Sequence, residues 1–184
     1  QLMWTSNPKI FPAIFGSGGF VLFDGQMTIP YKTLVTIAAC IVIMIGLTLF
    51  TEKTRTGKAM RACSEDKGAA QLMGINVNKT ISITFAIGSA LAAIAGVLLC
   101  SSYPKLIPTT GSMPGIKAFT AAVFGGIGSI PGAFLGGILL GIIEIFSSAY
   151  LSTELANAIV FLVLIIILLV KPTGLLGKKV NEKV

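Results

Sequence analysis

Side chains able to do chemistry are scarce in this sequence. Histidine is absent, which removes the residue used most often for acid–base catalysis and metal ligation. Cys40, Cys63 and Cys100 lie far apart without C-x-x-C spacing, so neither a metal site nor a disulfide framework is expected. Glu144 stands out, because Gly141-Ile142-Ile143 precede it and Ile145-Phe146 follow it. An acid in such a setting points to a pathway or a proton relay. Two readings stay open: a carboxylate lining a pathway, or one packed at a helix rim near interfacial water, with Ser147, Ser148 and Tyr150 just beyond. No second intramembrane acid or base is expected beside it, which argues against a proton-coupled carrier. The usual catalytic constellations are missing. No catalytic residue, cofactor or enzyme activity is therefore expected of this chain.

The elements that must carry Glu144 follow from composition. The chain has 184 residues, of which 54% are hydrophobic and 11% charged, and its mean hydropathy is +0.89. Soluble domains carry about 25% charge. These values exclude a disordered chain, a coiled coil and an ordinary soluble enzyme. They predict an all-α integral membrane protein over 1–184. A membrane helix needs roughly 20 apolar residues. Candidate spans are Thr33–Thr51, Thr80–Pro104, a segment near 114–129, a segment near 132–150, and Leu155–Val170. The third and fourth are separated by Gly125, Gly126, Gly128 and Pro131-Gly132. The third is short and glycine-rich, and a re-entrant segment is its alternative. About five transmembrane helices are thus expected.

The net charge of +7 has its natural explanation in the positive-inside rule rather than in nucleic-acid binding. The 51–79 stretch carries Lys53, Arg55, Lys58, Arg61, Lys67 and Lys79, and the tail carries Lys171, Lys178, Lys179 and Lys183. The opposite side has only Lys9 and Lys32 before the first span, with Lys105 and Lys117 in the second connection. This places the 51–79 loop and the C-terminus in the cytoplasm, and five crossings give a matching parity. Residues 1–32 are then extracytoplasmic, with Trp4, Pro8, Phe11, Pro12, Phe15, Phe20 and Phe23 marking an interfacial or partly re-entrant stretch. Residue 1 is Gln, and the expectation is of a truncated chain or a fragment.

Small residues recur every four positions: Gly128, Gly132 and Gly136, then Gly137 and Gly141, and earlier Gly88, Ala92 and Gly96. Such spacing puts them on one helix face, where backbones approach closely. Packing is the plain reading, and a slidable transport interface the functional one. The 61–76 loop predicts a short helix over about 65–73, with Ser64 as N-cap, Glu65 and Asp66 in the first turn, and Gly74 ending it. Ala69, Leu72 and Met73 form a small apolar edge, and Asn78 is placed to cap the next helix. Such a helix either rests on membrane lipid or docks a cytoplasmic partner. Repulsion of Glu65 and Asp66 by anionic lipid favours docking.

The run RACSEDKGAAQLMGINVNKTISITFAIGSALAAIAGVL (61–98), the block GGIGSIPGAFLGGILLGIIE (125–144) and the ending KPTGLLG (171–177) resemble the H-type permease subunit of branched-chain amino-acid ABC importers. The resemblance covers essentially the whole chain and corresponds to the C-terminal two-thirds of such a subunit, with its N-terminal helices missing. It implies that Glu65, Asp66, Ala69, Ala70, Gly74 and Ile75 belong to a coupling helix that fits an ATPase groove. It also implies a set of partners: two ABC ATPase subunits, a second homologous permease and an extracytoplasmic amino-acid-binding protein. ATP hydrolysis is expected in the partners, since the chain carries no G-x-x-x-x-G-K-[ST] motif. The expected location is a bacterial inner membrane. An importer of urea or short amides, and a channel-like subunit without ATP coupling, are the alternatives.

Overall fold

The computed structural model describes residues 7–12, 18–22 and 27–177. Trp4, Phe15 and Phe23 of the expected interfacial stretch, and Lys178, Lys179 and Lys183 of the tail, lie outside the described residues. The chain divides into two compact units, 1–110 and 111–184.

In the first unit, β1 (Lys9–Ile10) pairs antiparallel with β4 (Lys105–Leu106), Lys9 opposite Leu106. β2 (Gly19–Leu22) pairs antiparallel with β3 (Met27–Pro30), Gly19 opposite Pro30. These short ladders were not expected from the sequence, because runs of two to four residues carry no readable alternation. Phe20 meets Tyr31 edge to face at 5.5 Å between ring centroids. Two long helices follow: α1 (Tyr31–Lys53) and α4 (Val77–Ser102). At about 1.5 Å per residue they exceed the roughly 30 Å of a hydrocarbon core. Their charges are confined to the ends: Lys32, Glu52 and Lys53 in α1, and Lys79 in α4. Between them lie α2 (Arg55–Glu65) and α3 (Lys67–Leu72).

The second unit is a helical hairpin with a third helix. It consists of α5 (Ser112–Gly125), α6 (Ile130–Tyr150) and α7 (Thr153–Val170). Phe124, Leu140 and Val160, one from each helix, form its buried core, flanked by Ala121, Val163, Leu164, Ile167 and Leu175. Ser129 caps α6, its Oγ accepting from the Gly132 amide at 3.1 Å, and Pro131 occupies the first turn, where a missing N–H costs nothing. Thus the break at Pro131-Gly132 starts a helix rather than ending one.

Among the described residues, α1, α4, α6 and α7 are long and apolar enough to cross a membrane. The segment expected near 114–129 is α5, whose 14 residues span about 21 Å, short of a full crossing by itself.

Candidate functional site

The connector between α1 and α4 is built from local chemistry. Thr54 turns the chain: its Oγ1 accepts from the Gly57 amide at 3.0 Å and donates to the Phe50 carbonyl at 2.6 Å. Gly57 is required there. A Cβ on it would overlap the Phe50 carbonyl and the Thr51 backbone. The resulting helix α2 was not anticipated. It presents Arg55, Lys58 and Arg61 outward at three-residue steps. Ser64 does not cap the next helix. It sits in the last turn of α2, donating to the Arg61 carbonyl at 2.7 Å, and Glu65 is the last residue of that helix.

Asp66 is the cap instead. Its Oδ1 accepts from the Gly68 and Ala69 amides at 2.8 and 3.0 Å, satisfying two of the amides a helix start leaves open. Asp66 and Ser64 are both capping residues by type. The extended backbone at Asp66, φ −153° and ψ 111°, decides between them. Helix α3 is therefore shorter than expected, Lys67–Leu72 rather than about 65–73.

At its far end Gly74 adopts φ +81°. The Gly74 amide donates to Gln71 O and the Ile75 amide to Ala70 O, both at 3.0 Å. This pair of bonds is the Schellman arrangement that a left-handed glycine permits. Asn76, not Asn78, then caps α4, its Oδ1 accepting from the Lys79 amide at 3.0 Å. Caps thus bracket both sides of α3 and fix its direction.

The two alanines of α3 part company. Ala70 is 3% exposed, while Leu72 and Met73 are 90% and 83% exposed, with Ala69 on the exposed side as well. Gly57 and Cys63 of α2, Ala70 of α3 and Thr80 of α4 are the buried positions of these mutually packed elements. Every residue of α3 except Ala70 is exposed; Ala69, Leu72 and Met73 supply a small apolar edge beside Lys67 and Gln71, with the exposed carboxylates Glu65 and Asp66 at its start.

The second unit gathers the glycines and Glu144. Gly132 and Gly136 of α6 meet α5 so closely that a Cβ on Gly132 would strike the Gly125 carbonyl, and one on Gly136 the Ala121 carbonyl. Gly137 is looser, its Cβ position 3.8 Å from the Ala121 methyl. Gly128 is not on a helix face. It lies in the turn between α5 and α6 at φ +92°, where a left-handed conformation is what it supplies. Among the described residues, nothing lies within 4 Å of a Cβ placed at Gly88, Gly96 or Gly141.

On the same seam, Lys117 of α5 donates to Glu144 Oε1 at 2.6 Å. This corrects two expectations. Lys117 belongs to a helix rather than to a connection, and Glu144 does have a basic partner. A carboxylate at a helix centre costs about 2.5–3.5 kcal/mol to insert, and a contacting ammonium offsets part of that. The sequence carried a usable signal: Lys117, Ala121 and Gly125 step by four along α5, as Gly132, Gly136, Leu140 and Glu144 do along α6.

The residues 171–177 have a place that periodicity does not reveal. Leu175 and Leu176 donate to the Phe124 and Gly125 carbonyls at 3.0 and 2.9 Å. They satisfy carbonyls that the end of α5 leaves without helical partners. Gly174, at φ +73°, makes this possible. A side chain there would meet the Gly126 backbone and the Val123 carbonyl.

Residues 2–168 match the family described as branched-chain amino acid transport system / permease component. The chain is 50% identical over 173 residues to the high-affinity branched-chain amino acid transport system permease protein LivH of Escherichia coli K12, covering 89% of this chain and 56% of that protein. It is 46% identical over 187 residues to the corresponding permease protein BraD of Pseudomonas aeruginosa PAO1, covering 100% of this chain and 61% of that one. A probable LivH of Methanocaldococcus jannaschii is 34% identical over 184 residues, covering 96% of this chain and 56% of that protein. The chain thus spans little more than half the length of these relatives. No solved structure matches it.

Proposed function

The chain belongs to the family of branched-chain amino acid transport permease components, and on that premise we propose that it is the membrane-embedded part of an ATP-binding-cassette importer for leucine, isoleucine and valine. In this reading it acts in a bacterial inner membrane, where α5 together with its flanking residues makes the fifth crossing, so that the 51–79 connector and the C-terminus both lie in the cytoplasm. Two ATPase subunits hydrolyse ATP, a second permease completes the pathway, and an extracytoplasmic binding protein delivers substrate. Transport proceeds by alternating access, a rearrangement of packed helices with no covalent chemistry in this chain.

The observation that carries the proposal is the outward face of α3. Leu72, the last residue of a six-residue helix held at both ends by capping bonds, and Met73, its C-cap, stand almost fully exposed. Apolar side chains so presented on a stiff local unit suit insertion into a groove of another protein. Glu65, Asp66, Ala69, Gly74 and Ile75 belong to this coupling unit. Ala70 contributes from inside, by seating the helix on the connector. The outward Arg55, Lys58 and Arg61 of α2 suit the phosphates of membrane lipid. The tight Gly132–Gly125 and Gly136–Ala121 approaches supply the packed seam, while Gly88, Gly96 and Gly141 offer open small-residue faces. Glu144 is the charge placed for a pathway.

The test is a cysteine at position 69 in the full-length permease, assembled with its partners. Crosslinking to an ATPase subunit is expected, together with loss of radiolabelled leucine uptake in Leu72→Asp. Crosslinks to lipid alone, with uptake unchanged in Glu65→Lys, would assign the chain to a channel-like subunit without ATP coupling. Undiminished leucine uptake in a strain deleted for the permease would move the substrate toward urea or short amides.

A further inference from the structure

We infer that Lys117 and Glu144 together form a binding site for the ammonium and carboxylate groups of a zwitterionic amino acid, an inference that rests on the transport reading above. Glu144 is the one charge lying more than three residues from either end of α1, α4, α6 and α7. Its partner is on the neighbouring helix, at 2.6 Å. The two sit at the far end of a seam that begins glycine-tight at Gly125–Gly132, continues through Ala121–Gly136, and passes the buried Leu140. There the seam opens. The Lys117 and Glu144 side chains are 28% and 37% exposed. Among the described residues nothing lies within 4 Å of the Cβ position of Gly141, one turn before Glu144, and Met113, one turn before Lys117, is half exposed.

The chemistry of the pair matches one ligand class. An ammonium has three donors and a carboxylate two acceptor oxygens. Among the described residues this pair uses one of each, in its single mutual bond. A zwitterion entering between them exchanges one ion pair for two, ammonium to Glu144 and carboxylate to Lys117. No net charge enters the site, and neither protein charge is left unpaired, the condition under which buried charges are tolerated. A solute with a single charge lacks that balance. Met113 and the space at Gly141 offer an apolar surround for a branched side chain.

The test measures binding of tritiated leucine to the full-length permease purified with its second permease and ATPase subunits, without the binding protein. The expected result is that the double variant Lys117→Met/Glu144→Gln co-purifies with its partners and binds leucine at least tenfold more weakly. Binding equal to wild type would assign the pair to helix packing alone and overturn the inference. Should the double variant fail to assemble, competition on the wild-type complex decides. Isoleucine displaces leucine, whereas isoamylamine and 4-methylpentanoate, each with one of the two charges, compete at least a hundredfold less well. Equal competition by either analogue would overturn the inference. A wild-type complex that binds no leucine, in cells that still take it up, defeats this site and leaves the transport reading standing. Cells with the complete importer that take up no branched-chain amino acid defeat the transport reading itself.

Discussion

In α6, Gly132 and Gly136 are filled by the α5 backbone, which approaches so closely that no side chain fits. In α4, Gly88, Ala92 and Gly96 repeat the spacing, yet none of the described residues stands within 4 Å of either glycine's Cβ position. The sequence signature is the same and its use is not. Connectivity makes the difference. Only 126–129 separate α5 from α6, and so short a link makes the two helices antiparallel neighbours. Small residues on α6 then have a backbone to receive. The equally short link before α4, residues 73–76, brings it only the six-residue α3, too short to run alongside as far as Gly88. A four-residue spacing therefore marks a face able to pack closely, and the chain's connections decide whether this chain itself supplies the partner.

The strongest way to break this contrast is a pair of leucines. Gly136→Leu must push α5 away along its whole contact with α6. Overpacking in a closed seam costs about 3 kcal/mol, and the folded fraction of the purified full-length permease, followed by thermal or detergent-titration melting, is expected to fall accordingly. Gly88→Leu is expected to cost nothing and to gain up to about 1 kcal/mol, since leucine favours a helix over glycine and the space is open. Equal losses at both positions would show that α4 has a close partner as well, and the contrast would vanish.

A smaller effect is expected where glycine is needed for its backbone. Gly174→Ala puts a side chain at φ +73° against the Gly126 backbone. Strain of that kind costs about 1–3 kcal/mol. Its signature is local: hydrogen exchange at the Leu175 and Leu176 amides should accelerate, since they bond to Phe124 and Gly125 only while the tail lies against α5. Unchanged exchange there would remove the tail from the account of how α5 is held.

Asp66→Ala tests the connector on the same scale. Loss of an N-cap costs about 1 kcal/mol. Exchange at the Gly68 and Ala69 amides, the two that Asp66 holds, should rise with α1 and α4 unaffected. Faster exchange at Ala69 after Ser64→Ala instead would restore the cap assigned by residue type alone.

The long helices were legible because hydropathy over some 20 residues is dictated by the bilayer and depends on no partner. The division at Pro131-Gly132 was legible for a related reason: proline and glycine act on the backbone locally. What the sequence concealed depends on contacts between distant residues. Lys117, beside Met113-Pro114-Gly115, reads as a loop charge, and only the α5–α6 register carries it to Glu144. The docking of 171–177 onto the end of α5 uses backbone bonds, which leave no periodic mark. The capping error is of a third kind. Ser64 and Asp66 are equivalent by type, and the helix α2 that absorbs Ser64 is short, polar and glycine-containing, so propensity and hydropathy alike pass over it.

The finest discrimination comes from adding one methyl group, because the two faces then predict opposite signs. At Gly96 the space is open, and replacing an exposed helical glycine by alanine removes unfolded-state freedom, worth about 0.5–1 kcal/mol of added stability. At Gly136 the same methyl meets the Ala121 carbonyl and the Gly125 backbone, and stability falls. Melting the two variants side by side in the full-length permease reads the sign directly. A gain at Gly96 that persists when the proposed second permease is present means that this partner, too, leaves the stripe open. A gain that turns into a loss on assembly identifies α4's small-residue face as the surface the proposed second subunit covers, and the difference between α4 and α6 becomes one between packing within a chain and packing between chains.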